Sequence, residues 1–499
     1  MNSEEFKQFG KAMIDYIATY LDNIRNRDVI PSVEPGYMTK LVPEEAPTKG
    51  ENWRAIMTDL EKVIMPGITH WHSPYFHAYF PTANSYPAIV GELLSAGIGC
   101  VGFSWFSSPA CTELEMLVMN WLAKLLGLPD CFLNKSGSSG GGTIQGSASE
   151  TTFICLIAAR DRTIKRIKQK FPHMTESDIR GRLVAYTSDQ ANSSVEKAGL
   201  IAAIPMKHLP SNEYGKLTAE TLLEAVEKDE SNGMFPCYVV ATLGSTGTCA
   251  FDKLEEIGPI CKKEGVWLHI DAAYAGTAFV CPEYRHLMKG IEFADSFNFN
   301  PHKWMLVNSD CSAMWLKESQ PLIDAFKVER IYLRHKYEGL VPDYRHWQIS
   351  LGRRFRALKV WFTLRIYGTD GIRNHIRHQA SLAKYFEYVL KKDHRFDVPL
   401  SNMGLVLFNL RAGDNSTQKL LNLLTERKKL YLIPCHFMGK LVVRFVVCSR
   451  FTTAADIEFS LREIIAVANK LLLPTQEGVW LHIDAAYAGT AFVCQGMSE

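Results

Sequence analysis

VWLHIDAAYAG (266–276) decides the fold class of this chain. Its first half is a short apolar run of the kind buried on both faces of a parallel sheet. Strand alternation puts His269 and Asp271 on one face, so a carboxylate stands at the strand's end, where parallel sheets bind their ligands. Alone, Asp271 reads equally well as a strand-end cap. Outward from this stretch, RLVAY (182–186), MFPCYVVATL (234–243), DSFNFN (295–300) and CSAMWL (311–316) repeat the pattern between helical segments. That alternation predicts an α/β domain over 86–360 with mostly parallel strands. After a helical segment near 351–393, GLVLFNL (404–410), LVVRFVV (441–447) and a helix near 454–472 predict a smaller α+β domain over 361–475.

The bulk composition points to a soluble protein with a small-molecule ligand. Lys and Arg number 55 against 53 Asp and Glu, a net charge of +2 that calls for no nucleic acid partner. No apolar run is long enough for a membrane span, and the N-terminus opens with Glu4 and Glu5 rather than a basic leader. The 12 cysteines are scattered without metal-ligand spacing, which fits reduced thiols and a cytoplasmic location. The closest histidines, His375 and His378, lie among arginines and read as a solvated helix face, so no metal is expected. In 1–85, Phe6, Phe9, Met13, Ile14, Ile17, Leu21 and Ile24 recur at helical spacing behind Ser3 as a cap. This helix packs on its own chain or serves as a dimer arm.

Two further segments carry chemistry. GSSGGGTIQGSASE (137–150) is a Gly/Ser loop running into a helix from near Ser149, where free amides with the Ser147 and Ser149 hydroxyls suit a phosphate. It lacks the lysine of a nucleotide P-loop and the G-x-S-x-G of a nucleophile elbow, and a plain linker reads the same way. NFNPHKWM (298–305) places Lys303 beside His302 after a strand and a proline, where a partly buried amine can become a nucleophile. In order, a phosphate loop, a strand-end aspartate and a lysine after the next strand are what pyridoxal 5′-phosphate needs: phosphate on the helix start, ring nitrogen on the carboxylate, aldehyde on the lysine.

On SPYFHAYFPTANSYP (73–87), GSASE (146–150), HIDAAYAG (269–276), NPHKW (300–304) and DYRHWQISLGRRFRALK (343–359), the chain resembles the aromatic-L-amino-acid decarboxylase family of group II pyridoxal-phosphate enzymes along nearly its whole length. The resemblance implies a fold-type I architecture with a mostly parallel seven-stranded sheet, and a homodimer with shared active sites. It implies Lys303 as the Schiff-base lysine, Asp271 on the pyridinium nitrogen, Ser147, Ala148 and Ser149 with His302 as the phosphate cradle, and Asn300 as a further cofactor-binding residue. Thr246 and Ala273 would flank the ring. Thr82 would meet the substrate carboxylate, and Trp71, Tyr79, Phe80 and Phe103 would wall an aromatic pocket, Phe103 coming from the neighbouring subunit. KVERIYLRHKYEG (327–339) resembles the family's mobile catalytic loop, in which Tyr332 would protonate the decarboxylated intermediate.

One position departs from that pattern. In YTSDQANSSVEKAG (186–199), where decarboxylases of this family stack a histidine over the cofactor, this chain has Asn192. Imidazole relays a proton near neutral pH and an amide does not. Slow protonation leaves the electron-rich intermediate open to O2, and asparagine here resembles the insect 3,4-dihydroxyphenylacetaldehyde synthases, which convert L-dopa to the aldehyde with CO2, ammonia and H2O2. Tyr332 and the Tyr79–Phe80 pair instead resemble simple decarboxylases producing dopamine or another aromatic amine. Ser309, where decarboxylase relatives carry a bulky aromatic, is expected to enlarge the site. Histidine and glutamate decarboxylases and a non-enzymatic scaffold fit less well, since Lys303 and Asp271 are both intact.

EGVWLHIDAAYAGTAFVC occurs twice, at 264–281 and again at 477–494. The second copy brings Asp484 but neither a following lysine nor a phosphate loop, so 476–499 is read as a duplicated, non-functional tail that is disordered or packs opportunistically. Deletion of 476–499 is expected to leave turnover unchanged in steady-state assays; a large loss would show that the copy has found a structural place.

Overall fold

The computed structural model describes residues 1–334, 337 and 339–472; the tail repeat and three positions of the 327–339 segment lie outside the described residues. Strands β1 (Gly141–Gln145), β2 (Leu183–Ser188), β3 (Met206–Leu209), β4 (Phe235–Thr242), β5 (Trp267–Asp271), β6 (Ser296–Phe299) and β7 (Ser312–Leu316) form one sheet in the order β1-β7-β6-β5-β4-β2-β3. Five of the apolar runs are strands of this sheet. The run CSAMWL differs from the rest in direction: β7 is antiparallel to both β6 and β1, because it returns from the turn after Lys303 directly beside β6.

Both faces of the central strands are covered, which is why the runs read as continuously apolar. Val239, Ala241, Leu268, Ile270, Phe297 and Phe299 enter one core. Tyr238, Val240 and Trp267 enter the other, beneath the helix Ala148–Lys170. That helix starts at Ser147, whose Oγ accepts the Glu150 N–H at 3.2 Å, and it closes with Lys168 and Lys170 in the last turn, favourable to its dipole.

The stretch expected to be a Gly/Ser loop holds a buried strand instead. A side chain at Gly142 would stand 2.6 Å from the Trp315 ring and 2.7 Å from Met119 Cε, so glycine serves close packing here. Strand β3 gave no apolar signal because two of its four residues are exposed at the sheet edge.

A second sheet, β10-β11-β9-β8, is antiparallel throughout: β8 (Phe396–Asn402), β9 (Leu405–Leu410), β10 (Ile433–Phe437) and β11 (Lys440–Val446). The helices Asp414–Glu426 and Ala454–Leu472 cover it with the C-terminal half of Ala357–Leu390, which breaks at Gly368 (φ 64°, ψ 176°). Ahead of the break Val360 and Leu364 belong to the core of Val239 and Leu268; after it Ala383 and Phe386 belong to a separate core against the second sheet.

The N-terminal helix spans Ser3–Asp22 and is capped by Asn2 rather than Ser3: Asn2 Oδ1 accepts the Glu5 N–H at 2.9 Å, and the Glu5 carboxylate accepts the Asn2 N–H. Leu21 and Ile24 are buried, whereas Phe6 and Ile14 stay exposed. The chain after the helix is tied to the second sheet. Arg25 pairs with Asp456 at 2.9 Å, and His77 stacks on Phe445 and hydrogen-bonds the Val446 carbonyl at 2.9 Å. His375, expected on a solvated face, is half-buried, and burial pushes its pKa down to about 4. All eleven described cysteines are free.

His77 generates a pH prediction. Burial pushes its pKa down to about 4, so the folded state resists protonation that the unfolded chain accepts near 6.5. Its contribution to stability is therefore complete above pH 6.5 and is lost as pH falls toward 4, at up to about 1.4 kcal/mol per pH unit. Urea unfolding at pH 6.5, 5.5 and 4.5 should show a steeper loss in wild type than in His77→Gln; equal slopes would contradict the assignment.

Candidate active site

The site begins with strand register. Thr242, Asp271 and Asn298 are direct neighbours across β4, β5 and β6, at the ends where parallel strands present ligand-binding residues. Asp271 is buried, and its Oδ1 accepts the Ala273 N–H at 2.9 Å. Burial raises its pKa and the neighbouring Lys303 opposes that rise. Beneath it, His269 Nδ1 meets Ser296 Oγ at 2.7 Å, and burial holds that ring neutral with a pKa of about 3.

After β6 the chain turns at Asn300 and Pro301 into one helical turn, Pro301–Trp304. The Lys303 N–H donates to the Asn300 carbonyl at 2.9 Å, and buried Trp304 anchors the turn through Nε1 to Gln379 Oε1, also at 2.9 Å. Burial lowers the proton affinity of the Lys303 amine, against the pull of Asp271. His302 Nδ1 accepts the Cys311 N–H at 2.8 Å, which leaves Nε2 to carry the proton and donate; burial keeps the ring neutral, its pKa about 4.

Thr242, Asp271, His302 and Lys303 face one cavity of about 220 Å³. Ser147, Ala148 and Ser149 contribute the helix start, where the first amides have no intrahelical partner. Asn192, Thr246, Ala273 and Asn300 also line it. Asn192 caps the helix Ser193–Ala202, its Oδ1 accepting the Ser194 N–H at 3.0 Å, while its Nδ2 donates to Thr246 Oγ1 at 2.9 Å. A larger cleft of about 850 Å³ lies between the 134–140 and 327–347 segments, without a lysine–aspartate pair of this kind.

The residues proposed as substrate walls divide. Phe80 lines the cavity, its ring centroid 6.0 Å from Lys303 Nζ, and stacks on Tyr274 at 3.7 Å. Trp71 and Tyr79 stack on each other at 5.5 Å and are 38% and 42% exposed. Thr82 and Phe103 are half-buried, and Tyr332 and Ser309 are exposed. None of these six is on the cavity wall of its own chain. Ser194, Thr242, Gly244 and Tyr274 line the cavity without having been singled out from the sequence. Thr242 was within reach, since it ends the strand that pairs with β5; Tyr274 lies inside the quoted HIDAAYAG motif.

Residues 35–411 and 436–499 match the pyridoxal-dependent decarboxylase conserved domain. The chain belongs to the pyridoxal-dependent decarboxylase family. It is 54% identical over 465 residues to the aromatic-L-amino-acid decarboxylase of Manduca sexta, covering 93% of this chain and 92% of that one. It is 53% identical over 474 residues to the 3,4-dihydroxyphenylacetaldehyde synthase of Aedes aegypti, covering 95% and 91%. Among solved structures, Oryza sativa TDC with PLP and tryptamine superposes with a TM-score of 0.91 at 33% identity, over 94% of this chain and 99% of that chain. Rhodiola rosea 4-hydroxyphenylacetaldehyde synthase gives 0.88 at 34%, over 94% and 99%. The fold is that of fold-type I pyridoxal-phosphate enzymes, and pyridoxal 5′-phosphate is the cofactor of this family member.

The cavity fits that group. Thr242 Oγ1 and Asn300 Oδ1 are buried on its wall without a partner among the described residues, so polar capacity is held in reserve for a polar ligand. Lys303→Ala is expected to abolish borohydride-stable labelling by pyridoxal 5′-phosphate, read by peptide mass; label retained elsewhere would displace Lys303 from its assigned role.

Proposed function

We propose that this enzyme converts an aromatic L-amino acid, L-dopa the leading candidate, to the aromatic acetaldehyde by decarboxylation and oxidative deamination. The cofactor, when bound, draws the electrons released at substrate Cα into its ring. Lys303 would hold it covalently, Asp271 would pair with its ring nitrogen, Ser147, Ala148, Ser149 and His302 would hold its phosphate, and Asn300 would bind it from the cavity wall. Thr246 and Ala273 would border the ring, and Phe80 would flank the aromatic side chain of the substrate.

The observation that carries the oxidative reading is the state of Asn192. Both ends of its amide are engaged, Oδ1 by the helix cap and Nδ2 by Thr246, on the cavity wall. It holds no titratable proton near neutral pH. Proton delivery to Cα after the carboxylate leaves then has no titratable donor at position 192, and dissolved oxygen competes for the same electrons. The balance is amino acid, O2 and water to aldehyde, CO2, NH3 and H2O2. The second reading, a simple decarboxylase releasing the amine, draws support from the Manduca sexta relative and from the presence of Tyr332.

A homodimer completes this reading. Phe103 and Tyr332 are absent from the cavity of their own chain, and Phe6, Leu93, Leu94, Ile98 and Val101 leave apolar surface exposed. Such a surface suits a second copy, whose residues would then close each site.

In aerated buffer with L-dopa, one O2 consumed and one H2O2 formed per CO2 supports the synthase; stoichiometric dopamine without oxygen uptake supports the decarboxylase and ends this proposal. Asn192→His is expected to lower the aldehyde-to-amine ratio by about a hundredfold or more, the range of a positioned proton donor. It should also cost about 1 kcal/mol of stability through the lost cap, read by urea unfolding.

A further inference from the structure

Arg444, on β11 of the second sheet, is 2% exposed. The other two fully buried arginines pair with carboxylates, Arg345 with Asp343 and Arg353 with Glu115. Arg444 has no ion pair among the described residues, and its Nε is buried without a hydrogen-bond partner. A buried guanidinium without a counter-charge is costly, and folds rarely keep one without a use.

Its surroundings show where it acts. Arg444 Nη2 donates to the Tyr79 carbonyl at 3.2 Å, and its guanidinium carbon stands 5.0 Å from the Phe80 ring centroid. Tyr79 sits at φ 57°, in the left-handed region that costs a bulky residue about 1 kcal/mol or more. The bond from Arg444 secures this turn, which sends Tyr79 outward and Phe80 into the cavity. Phe80 in turn stacks on Tyr274, and Tyr274 on Trp304 at 4.8 Å, next to Lys303.

The charged and titratable groups facing the Lys303 amine are Asp271, Cys448, Arg444 and the neighbouring His302, which burial keeps neutral. Those facing Arg444 are Cys435, Cys249 and Tyr274, none of them a carboxylate. Asp271 favours the protonated amine and Arg444 opposes it.

We propose that Arg444 is a positioning residue of the cofactor pocket, clamping the Tyr79–Phe80 turn and setting an uncompensated positive charge 5.0 Å from the Phe80 ring centroid, which itself lies 6.0 Å from Lys303 Nζ. This rests on Lys303 as the cofactor lysine. A second sheet that reaches into the pocket in this way makes cofactor retention depend on the docking of the C-terminal region, not only on the residues that touch the cofactor.

The test is a pH titration of the visible absorbance of the full-length holoenzyme without substrate, with thermal melting and the dissociation constant of pyridoxal 5′-phosphate alongside. Arg444→Met removes clamp and charge, Arg444→Gln removes the charge while keeping a donor for the Tyr79 carbonyl, and Arg444→Lys keeps the charge. Removing a nearby like charge raises the pKa of a cation, so Met and Gln should move the midpoint upward by roughly half to one unit, with Lys near wild type. The Met variant should also weaken cofactor binding about tenfold. If Met does not fold, Gln decides. An unchanged midpoint in the folded Gln variant overturns the proposal. A wild-type holoenzyme with no titrating band fails the Lys303 reading instead.

Discussion

The pairing of β5 between β4 and β6 is the constraint on which the rest of the molecule depends. Parallel hydrogen bonding fixes Thr242, Asp271 and Asn298 in register, and the burial of both sheet faces leaves that register no freedom to slip. A one-residue shift would turn Asp271 into the apolar face and bring Ile270 to the cavity. The turn after β6 then needs only Asn300, Pro301 and the anchor of Trp304 to return Lys303 toward the same carboxylate.

Electrostatics in the cavity is a contest between burial and a few fixed charges. Burial makes Asp271 reluctant to ionise and Lys303 reluctant to protonate, and each moderates the other. His302 and His269 are kept neutral by the same desolvation, so they act as oriented hydrogen-bonding groups and not as cations. Asn192 adds no proton of its own.

Much of this was legible in the residues. The strands that build the sheet centre are dense apolar runs because two cores cover them, and Asp271 and Lys303 stood out by type and order. Ser147 was marked as a phosphate contact, while its work as a helix cap and the strand just before it were hidden by the glycines of 137–146. Those glycines make room for Trp315 and Met119, a requirement that no local pattern reveals. The polar edge strand β3 and the reversed direction of β7 were hidden for a related reason: both depend on neighbours distant in sequence.

By itself, the sequence determined the α/β class, the cofactor chemistry and the departure at Asn192, because each rests on side-chain type and local order. Tertiary structure alone decided that Asn192 spends both ends of its amide, that Arg444 reaches Tyr79 from another sheet, and that Tyr332 and Phe103 stay off the cavity wall of their own chain. Those facts are distances between residues far apart along the chain, and only the packing of the two sheets brings the partners within reach.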